Sequence, residues 1–240
     1  MRSLIAALVA LMLLAGRSQA QAGGESPQTA HRFSDGTHTL GYLRYLPEGY
    51  VENGTERWPL VLFLHGAGER GDDLDRVKVH GPPRLVEEGQ RFPFILVSPQ
   101  QPEGSWWSVD ALTGLLDEVT RDLRVDPARV YVTGLSMGGY GTLALVAAHP
   151  ERFAAIAPVC GGGDVATAPV FRDVPTWLFH GLRDDVIPPE RSIEMFEALR
   201  AAGAPEVGLT LYPDANHDAW TRTYANPDLF DWLLRHRRGG

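Results

Sequence analysis

Short runs of apolar residues recur along the chain, and longer mixed segments separate them. The runs are continuous, without strict polar alternation, which is typical of strands covered on both faces of a parallel sheet. They lie at residues 60–64, 94–97, 130–133, 155–159, 177–179 and 209–212. We therefore predict at least six sheet strands.

Apolar residues between these runs return at helical spacing. One stripe after Asp110 consists of Leu112, Leu115, Leu116, Val119 and Leu123. Further helices are predicted at about 136–148, 189–202 and 229–237, and the segment 37–46 is predicted to be an antiparallel edge strand. The alternation of strand and helix predicts a doubly wound α/β domain with a mostly parallel sheet and right-handed crossovers.

The amino terminus has the order of an export signal. A basic start at Arg2 precedes an apolar run over 4–15 and then small residues around Ala20. The run is shorter than the roughly 20 apolar residues of a membrane span. We expect a signal peptide over 1–20 with cleavage after Ala20 or, alternatively, Ala22, a flexible segment over 21–36 and one folded domain over 37–240. The mature protein is then periplasmic or secreted, without a stable membrane anchor.

Charge and cysteine content narrow the possible functions. The 22 Lys and Arg residues against 30 Asp and Glu residues give a formal net charge of −8, which argues against a nucleic-acid binder that neutralises phosphates. The single cysteine, Cys160, excludes an intrachain disulfide and a cysteine-cluster metal site. We interpret Cys160 as a small core residue.

A nucleophile elbow is predicted where the strand at 130–133 meets the helix at 136–148. Gly134-Leu135-Ser136-Met137-Gly138 is the G-x-S-x-G pattern between a strand and a helix. Glycines are needed on both sides because the flanking backbones approach closely in such a turn. Ser136 then stands at a helix N-terminus, which favours developing negative charge.

Serine needs a base to take its proton, and the base needs an acid to orient it. Asp184 follows the strand at 177–179, and His217 follows the strand at 209–212. Ser136, Asp184, His217 is the chain order expected for an elbow of this kind. Asp185 is the nearest alternative acid and Asp164 a weaker one.

The turn after the strand at 60–64 is predicted to complete the site. His65-Gly66-Ala67-Gly68 can aim backbone N–H groups above Ser136, and we assign the oxyanion hole to the N–H groups of Ala67 and Met137. We place His65 at the substrate pocket as a brace of this loop. Charged residues 69–73 are interpreted as a solvated loop.

The tandem tryptophans Trp106 and Trp107 are also pocket candidates, because neighbouring side chains in extended backbone point to opposite sides.

The stretch 160–175 between two strands is too short for a helical cap. We therefore predict no large cap domain and an open site that suits a bulky or polymeric ester.

Five motifs in order make the chain resemble α/β-hydrolases of the secreted carboxylesterase group, which is also labelled phospholipase/carboxylesterase, dienelactone-hydrolase-like or prolyl-oligopeptidase-like. The resemblance covers about 37–237, and its motifs lie at 62–71, 133–142, 158–164, 179–184 and 216–220. It implies an α/β-hydrolase fold with Ser136 as nucleophile, Asp184 as acid and His217 as base. The substrate stays open, since the group includes simple carboxylesterases, feruloyl and acetyl-xylan esterases and polyester depolymerases.

The resulting hypothesis is a serine carboxylesterase that needs no cofactor or metal and acts on a small-molecule or polymeric ester, with no nucleic-acid partner. The alternatives are a prolyl-oligopeptidase-like serine peptidase and a non-catalytic binding protein on a hydrolase scaffold. Acyl transfer to a sugar is a third possibility. The sequence leaves the acyl group, the alcohol and the oligomeric state open.

Overall fold

The computed structural model describes residues 26–239, which form one eight-stranded sheet with helices on both faces. The strands are β1 (Gln28–Ser34), β2 (Thr39–Tyr45), β3 (Trp58–Leu64), β4 (Ile95–Gln100), β5 (Val125–Leu135), β6 (Ala155–Val159), β7 (Thr176–Gly181) and β8 (Val207–Tyr212). The helices are α1 (Gly81–Glu87), α2 (Val109–Asp122), α3 (Met137–Ala148), α4 (Glu190–Ala201), α5 (Trp220–Tyr224) and α6 (Pro227–Arg235).

The strand order is β1-β2-β4-β3-β5-β6-β7-β8. Strands β3 to β8 pair in parallel, whereas β2 pairs antiparallel with both β1 and β4. The predicted doubly wound, mostly parallel sheet is confirmed.

The continuous apolar runs are explained by the helices on the two faces. Along β3, Leu60, Leu62 and Leu64 belong to the core layer that contains buried residues of α2, α3 and α4. Val61 and Phe63 belong to the opposite layer, with residues of α1 and α6. Because both faces are covered here, every position from Leu60 to Leu64 is buried, and no alternating polar position is left.

The amino-terminal part of the fold differs from the prediction. Residues 28–34, which lie in the predicted flexible segment 21–36, form β1 and pair along their whole length with β2. The sheet edge is therefore β1 instead of 37–46, and the ordered domain begins before residue 37. Phe33 is buried against α2, where a Cβ on Gly114 would lie 2.6 Å from its ring. The predicted signal peptide and both cleavage positions lie outside the described residues.

The absence of a large cap between β6 and β7 is confirmed, because that connection contains only a short 3₁₀ helix at Val165–Phe171. In the described part of the chain, the helices lack the combination of length and apolar character that a bilayer span requires.

Candidate active site

Ser136 stands in a sharp turn between β5 and α3. Its backbone has φ 54° and ψ −117°, a conformation that non-glycine residues rarely adopt and that is often found at functional sites. The turn is close-packed: a Cβ on Gly138 would overlap the carbonyl oxygen of Leu64, and a Cβ on Gly134 would overlap that of Gly138. The N–H of Ser136 donates to the carbonyl of Val159 at 2.9 Å, which ties the turn to β6.

The structure brings together the three side chains predicted to be catalytic. They follow β5, β7 and β8, whose carboxyl ends lie at the same edge of the sheet. Nε2 of His217 lies 3.0 Å from Oγ of Ser136. Nδ1 of the same ring lies 2.7 Å from Oδ2 of Asp184. The second distance requires a proton on Nδ1, which leaves the Nε2 lone pair facing the serine hydroxyl.

The side chain of Asp184 is fully buried, and its carboxylate accepts several hydrogen bonds. Oδ1 accepts from the N–H groups of Val186 at 3.0 Å and Ile187 at 2.9 Å. Burial alone raises the pKa of Asp184, but the hydrogen bonds from His217 and these two backbone groups outweigh it and hold the pKa below its ordinary value. Asp184 is therefore a buried carboxylate that stays ionised.

The alternative acids lie elsewhere. Asp185 is exposed to solvent. Asp164 caps the 3₁₀ helix at Val165–Phe171 by accepting from the N–H of Ala166. Neither hydrogen-bonds to His217 among the contacts of residues 26–239, so the geometry singles out Asp184.

The loop predicted to form the oxyanion hole is fixed by the charged residues that follow it. The carboxylate of Glu69 accepts from the N–H of Gly66 at 2.9 Å. Arg70 donates to the carbonyl of Ala67 at 2.9 Å, and Arg76 donates to that of Gly68 at 2.7 Å. The interpretation of 69–73 as a solvated loop is therefore wrong for Glu69, which is only 9% exposed.

The two N–H groups assigned to the oxyanion hole are available for a ligand. Within residues 26–239, neither Ala67 N–H nor Met137 N–H donates a hydrogen bond outside its own helix. The loop also contacts the elbow, since a Cβ on Gly66 would lie 3.5 Å from Cβ of Ser136. Each N–H belongs to the first residue of a helix, where the backbone donors have no intrahelical partner.

His65 does not line a pocket, contrary to its predicted place there. Its side chain is fully buried. Nδ1 lies 2.5 Å from the carbonyl oxygen of Gly66, and Nε2 accepts from the N–H of Gln101 at 2.9 Å. The ring has no free surface for a substrate because these contacts join the loop after β3 to the end of β4.

The tandem tryptophans point to opposite sides. Trp107 turns inward: its indole N–H donates to the carbonyl of His65 at 3.2 Å, and its ring packs on Gly141 of α3. This position does not support the predicted pocket contact of Trp107. Trp106 is 65% exposed, and its ring lies edge-on to Tyr140 with the centroids 6.4 Å apart. Tyr140, one helical turn after Ser136, carried no signal in the sequence.

Acidification is expected to destabilise the protein through His65. Burial lowers the pKa of His65 to about 4. Below its ordinary value of about 6.5, the unfolded chain binds a proton that the folded chain excludes, so stability is complete above that value and is lost as the pH falls toward about 4. Between about pH 7 and about pH 5, His65 alone is expected to lower the free energy of unfolding by about 2 kcal/mol.

Urea unfolding at the two pH values measures this loss. The matched variant is His65→Asn, whose amide replaces Nδ1 as a donor to Gly66 but does not titrate. Its free energy of unfolding should be lower at neutral pH and should change less with pH than that of the wild type. An unchanged pH dependence in the variant would assign the loss to other groups.

The chain matches the model of the prolyl oligopeptidase family over residues 105–171 and 165–239. Together these matches span more than half of the 240 residues and include Ser136, Asp184 and His217.

Two curated relatives carry esterase names. The bifunctional acetylxylan esterase/xylanase of Neocallimastix patriciarum is 28% identical over 150 residues, which cover 60% of this chain and 21% of that protein. The probable feruloyl esterase C of Aspergillus terreus is 27% identical over 160 residues, which cover 64% of this chain and 58% of that protein. The chain thus spans less than two thirds of the length of either relative.

Among solved structures, a thermostable esterase superimposes with a TM-score of 0.76 at 30% sequence identity. The alignment covers 88% of this chain and 64% of that chain.

Proposed function

The chain belongs to the prolyl oligopeptidase family and has the α/β-hydrolase fold, and on this premise we propose that it hydrolyses carboxylic esters through an acyl-enzyme on Ser136. The observation that carries the proposal is the hydrogen-bonded series of side chains at the carboxyl ends of the strands. His217 Nε2 is 3.0 Å from Ser136 Oγ, and His217 Nδ1 is 2.7 Å from the buried carboxylate of Asp184.

The proposed reaction has two steps. In the first, His217 Nε2 takes the proton of Ser136 as Oγ bonds to the ester carbonyl carbon, and the N–H groups of Ala67 and Met137 stabilise the oxyanion. The C–O bond then breaks, and the alcohol leaves with the proton from His217. In the second step, His217 takes a proton from water and the hydroxide oxygen bonds to the acyl carbon. The bond between that carbon and Ser136 Oγ then breaks, His217 returns the proton to Oγ, and the acid is released. Asp184 accepts from Nδ1–H of His217 in both steps, which holds the neutral ring in the tautomer with a free Nε2 and stabilises the ring when it is protonated.

Esters are favoured as substrates because the two curated relatives and the superimposed structure carry esterase names. A panel of p-nitrophenyl esters, methyl ferulate, acetylated xylan and polyhydroxybutyrate tests this proposal and ranks the acyl and alcohol groups. Absence of turnover on every ester would contradict it.

A peptidase is the second candidate, and the family match favours it. Amide hydrolysis uses the same nucleophile but needs protonation of a leaving amine. A panel of fluorogenic peptides, assayed beside the ester panel with the same preparation, separates the two activities. Faster turnover of peptides than of every ester would replace the first candidate with the second.

Trp106 is proposed as a substrate-binding surface for bulky esters. It connects Tyr140, one turn from the nucleophile, with a groove of about 340 Å³ lined in part by Thr39, Pro102 and Ser105. Its indole is exposed to solvent, while the side chain of Gln101 donates to its backbone carbonyl and the neighbouring Trp107 is fixed by its bond to His65. An exposed aromatic ring of this kind stacks well on flat aryl or sugar rings.

Replacing Trp106 with alanine is expected to raise KM for methyl ferulate or acetylated xylan by about 10-fold, because the substrate loses roughly one aromatic stacking contact. KM for p-nitrophenyl acetate should stay close to that of the wild type if its small acyl group does not extend to this surface. Trp106→Phe keeps an aromatic ring and should retain most of the affinity. An equal rise of KM for all these substrates would indicate that Trp106 only supports the loop.

We also propose that the protein is exported and cleaved after Ala20 or Ala22, on the strength of the order of charged, apolar and small residues at 1–22. Amino-terminal sequencing of the protein recovered from its host measures the cleavage position. Recovery of uncleaved protein from the cytoplasm would contradict the proposal.

A further inference from the structure

A second histidine, His180, lies behind the proposed acid. It is near the end of β7 and its side chain has no solvent exposure. Nε2 lies 3.1 Å from Oδ2 of Asp184 and 3.0 Å from the carbonyl oxygen of Ile187. Nδ1 lies 2.7 Å from Oγ of Ser192 in α4. Oδ2 of Asp184 is therefore shared between two imidazole rings, those of His180 and His217.

The chemistry of these partners fixes the proton on His180. An ionised carboxylate and a carbonyl can only accept, so Nε2 must carry a hydrogen. Burial is the main cause that lowers the pKa of His180, which favours a neutral ring. In the neutral Nε2–H tautomer, Nδ1 accepts from the hydroxyl of Ser192. Ser192 Oγ also lies 3.0 Å from the carbonyl oxygen of Gly161, but its single hydrogen cannot be donated to both acceptors, and in this tautomer it is donated to Nδ1.

We propose that His180 is a positioning residue of the reaction, whose Nε2–H donates to Asp184 Oδ2 and holds the carboxylate in the orientation that His217 requires. The inference rests on the proposed function, because it assigns a role only if Asp184 and His217 work on Ser136. Without the His180 donor, Oδ2 would keep one side-chain partner, and the carboxylate could rotate about its Oδ1 contacts. A misplacement of about 1 Å in such an arrangement can cost about 10²-fold in rate.

The surroundings of His180 supply no competing charge contact among the described residues. Asp184 and His217 are the titratable groups that contribute most to its electrostatic environment. The end of β6 contributes the buried thiol of Cys160, whose pKa burial raises to about 12, so the thiol stays neutral. Helix α4 contributes Ser192, which carries no charge.

Two substitutions separate positioning from core packing. The amide nitrogen of glutamine is as many bonds from Cβ as Nε2 of histidine, so His180→Gln can keep the donor to Asp184. The amide of asparagine corresponds to Nδ1, so His180→Asn can reach Ser192 but loses that donor. We expect kcat for p-nitrophenyl acetate to fall by about 10²-fold in His180→Asn, with KM unchanged, and to stay within about 10-fold of the wild type in His180→Gln.

Thermal unfolding of both variants provides the control for packing. The inference is overturned if the loss of kcat in the two variants parallels the loss in unfolding temperature and not the loss of the hydrogen-bond donor to Asp184. It is also overturned if both variants turn over like the wild type. Ser192→Ala removes the partner of Nδ1 but not the donor to Asp184, so its kcat should fall less than that of His180→Asn.

A measurement on the wild type covers the case in which neither variant folds. ¹⁵N NMR of histidine-labelled protein should show, beside the Nδ1–H rings expected for His65 and His217, one neutral ring protonated on Nε2 that does not titrate in the neutral pH range. The absence of any such Nε2–H ring would overturn the inference. The Ser136→Ala variant distinguishes failure of this inference from failure of the proposed function. If the proposed function is wrong, Ser136→Ala remains active. If only this inference is wrong, Ser136→Ala is inactive and His180→Asn is fully active.

Discussion

Replacing Ser136 with alanine is expected to lower kcat for p-nitrophenyl acetate by up to about 10⁶-fold, the loss seen when a triad acts as a unit. The variant has no oxygen to bond to the carbonyl carbon, so the proton acceptor and the oxyanion donors have no reaction to assist. Steady-state hydrolysis at saturating ester measures the loss. The residual rate should stay somewhat above that of water alone, because the N–H groups of Ala67 and Met137 remain.

The control for this variant is Ser34→Ala, which removes an exposed hydroxyl on β1, away from the carboxyl ends of β5, β7 and β8. It should hydrolyse the ester like the wild type. Both variants should also unfold at temperatures near that of the wild type, since neither hydroxyl fills the core. Turnover by Ser136→Ala at the wild-type rate would remove the nucleophile from the mechanism.

Replacing Asp184 with asparagine is expected to lower kcat by about 10⁴-fold. The amide presents a donor toward Nδ1 of His217 and favours the tautomer with its hydrogen on Nε2, which then cannot take the proton of Ser136. The loss of the buried negative charge also removes the stabilisation of the protonated ring. The same ester assay measures the effect, with KM expected to change little.

Asp185→Asn is the matched control, because the same chemical change is made one residue away on an exposed side chain. It should retain wild-type kcat to within a small factor. If Asp185→Asn costs more than Asp184→Asn, the loop adopts a different arrangement during turnover and the acid has been assigned to the wrong residue.

The sheet could be predicted where sequence periodicity reports burial directly. The run 60–64 is apolar at every position, and 130–133 is apolar except for the buried Thr133, because helices cover both faces. Each run therefore identified a strand. Strand β1 was missed because its pairing depends on contacts that leave no pattern of apolar residues in the sequence. Its buried positions are Phe33 and Gln28, and the amide of Gln28 is satisfied by the distant carbonyl of Pro83 and carboxylate of Glu87.

Helix α1 was missed for a related reason. Its first residues, Gly81, Pro82 and Pro83, look like chain breakers, but proline is well tolerated in the first turn of a helix, where its missing N–H would have no partner. The left-handed conformation of Gly81, with φ 66°, sets the entry into this helix.

Within the candidate site, the residues with a local motif were predicted and those with tertiary roles were not. Ser136 stands between two required glycines, and Asp184 and His217 each follow a recognisable strand. The pocket position predicted for His65 was wrong, and the one predicted for Trp107 gained no support, because the orientation of both side chains depends on which side of the loop meets the core. The support given by Glu69 and His180 depends on burial, and burial of a single polar residue has no periodicity.

Covalent labelling tests the central claim most directly. A fluorophosphonate reacts with a serine hydroxyl only when a base and an oxyanion hole activate it, so the wild-type protein should gain one adduct, located on the peptide at Ser136 by mass spectrometry. Ser136→Ala should gain none, and His217→Ala should label far more slowly. An adduct on another residue, or an intact protein that stays unlabelled under conditions that modify other serine hydrolases, would contradict the account and favour a binding protein on a hydrolase scaffold.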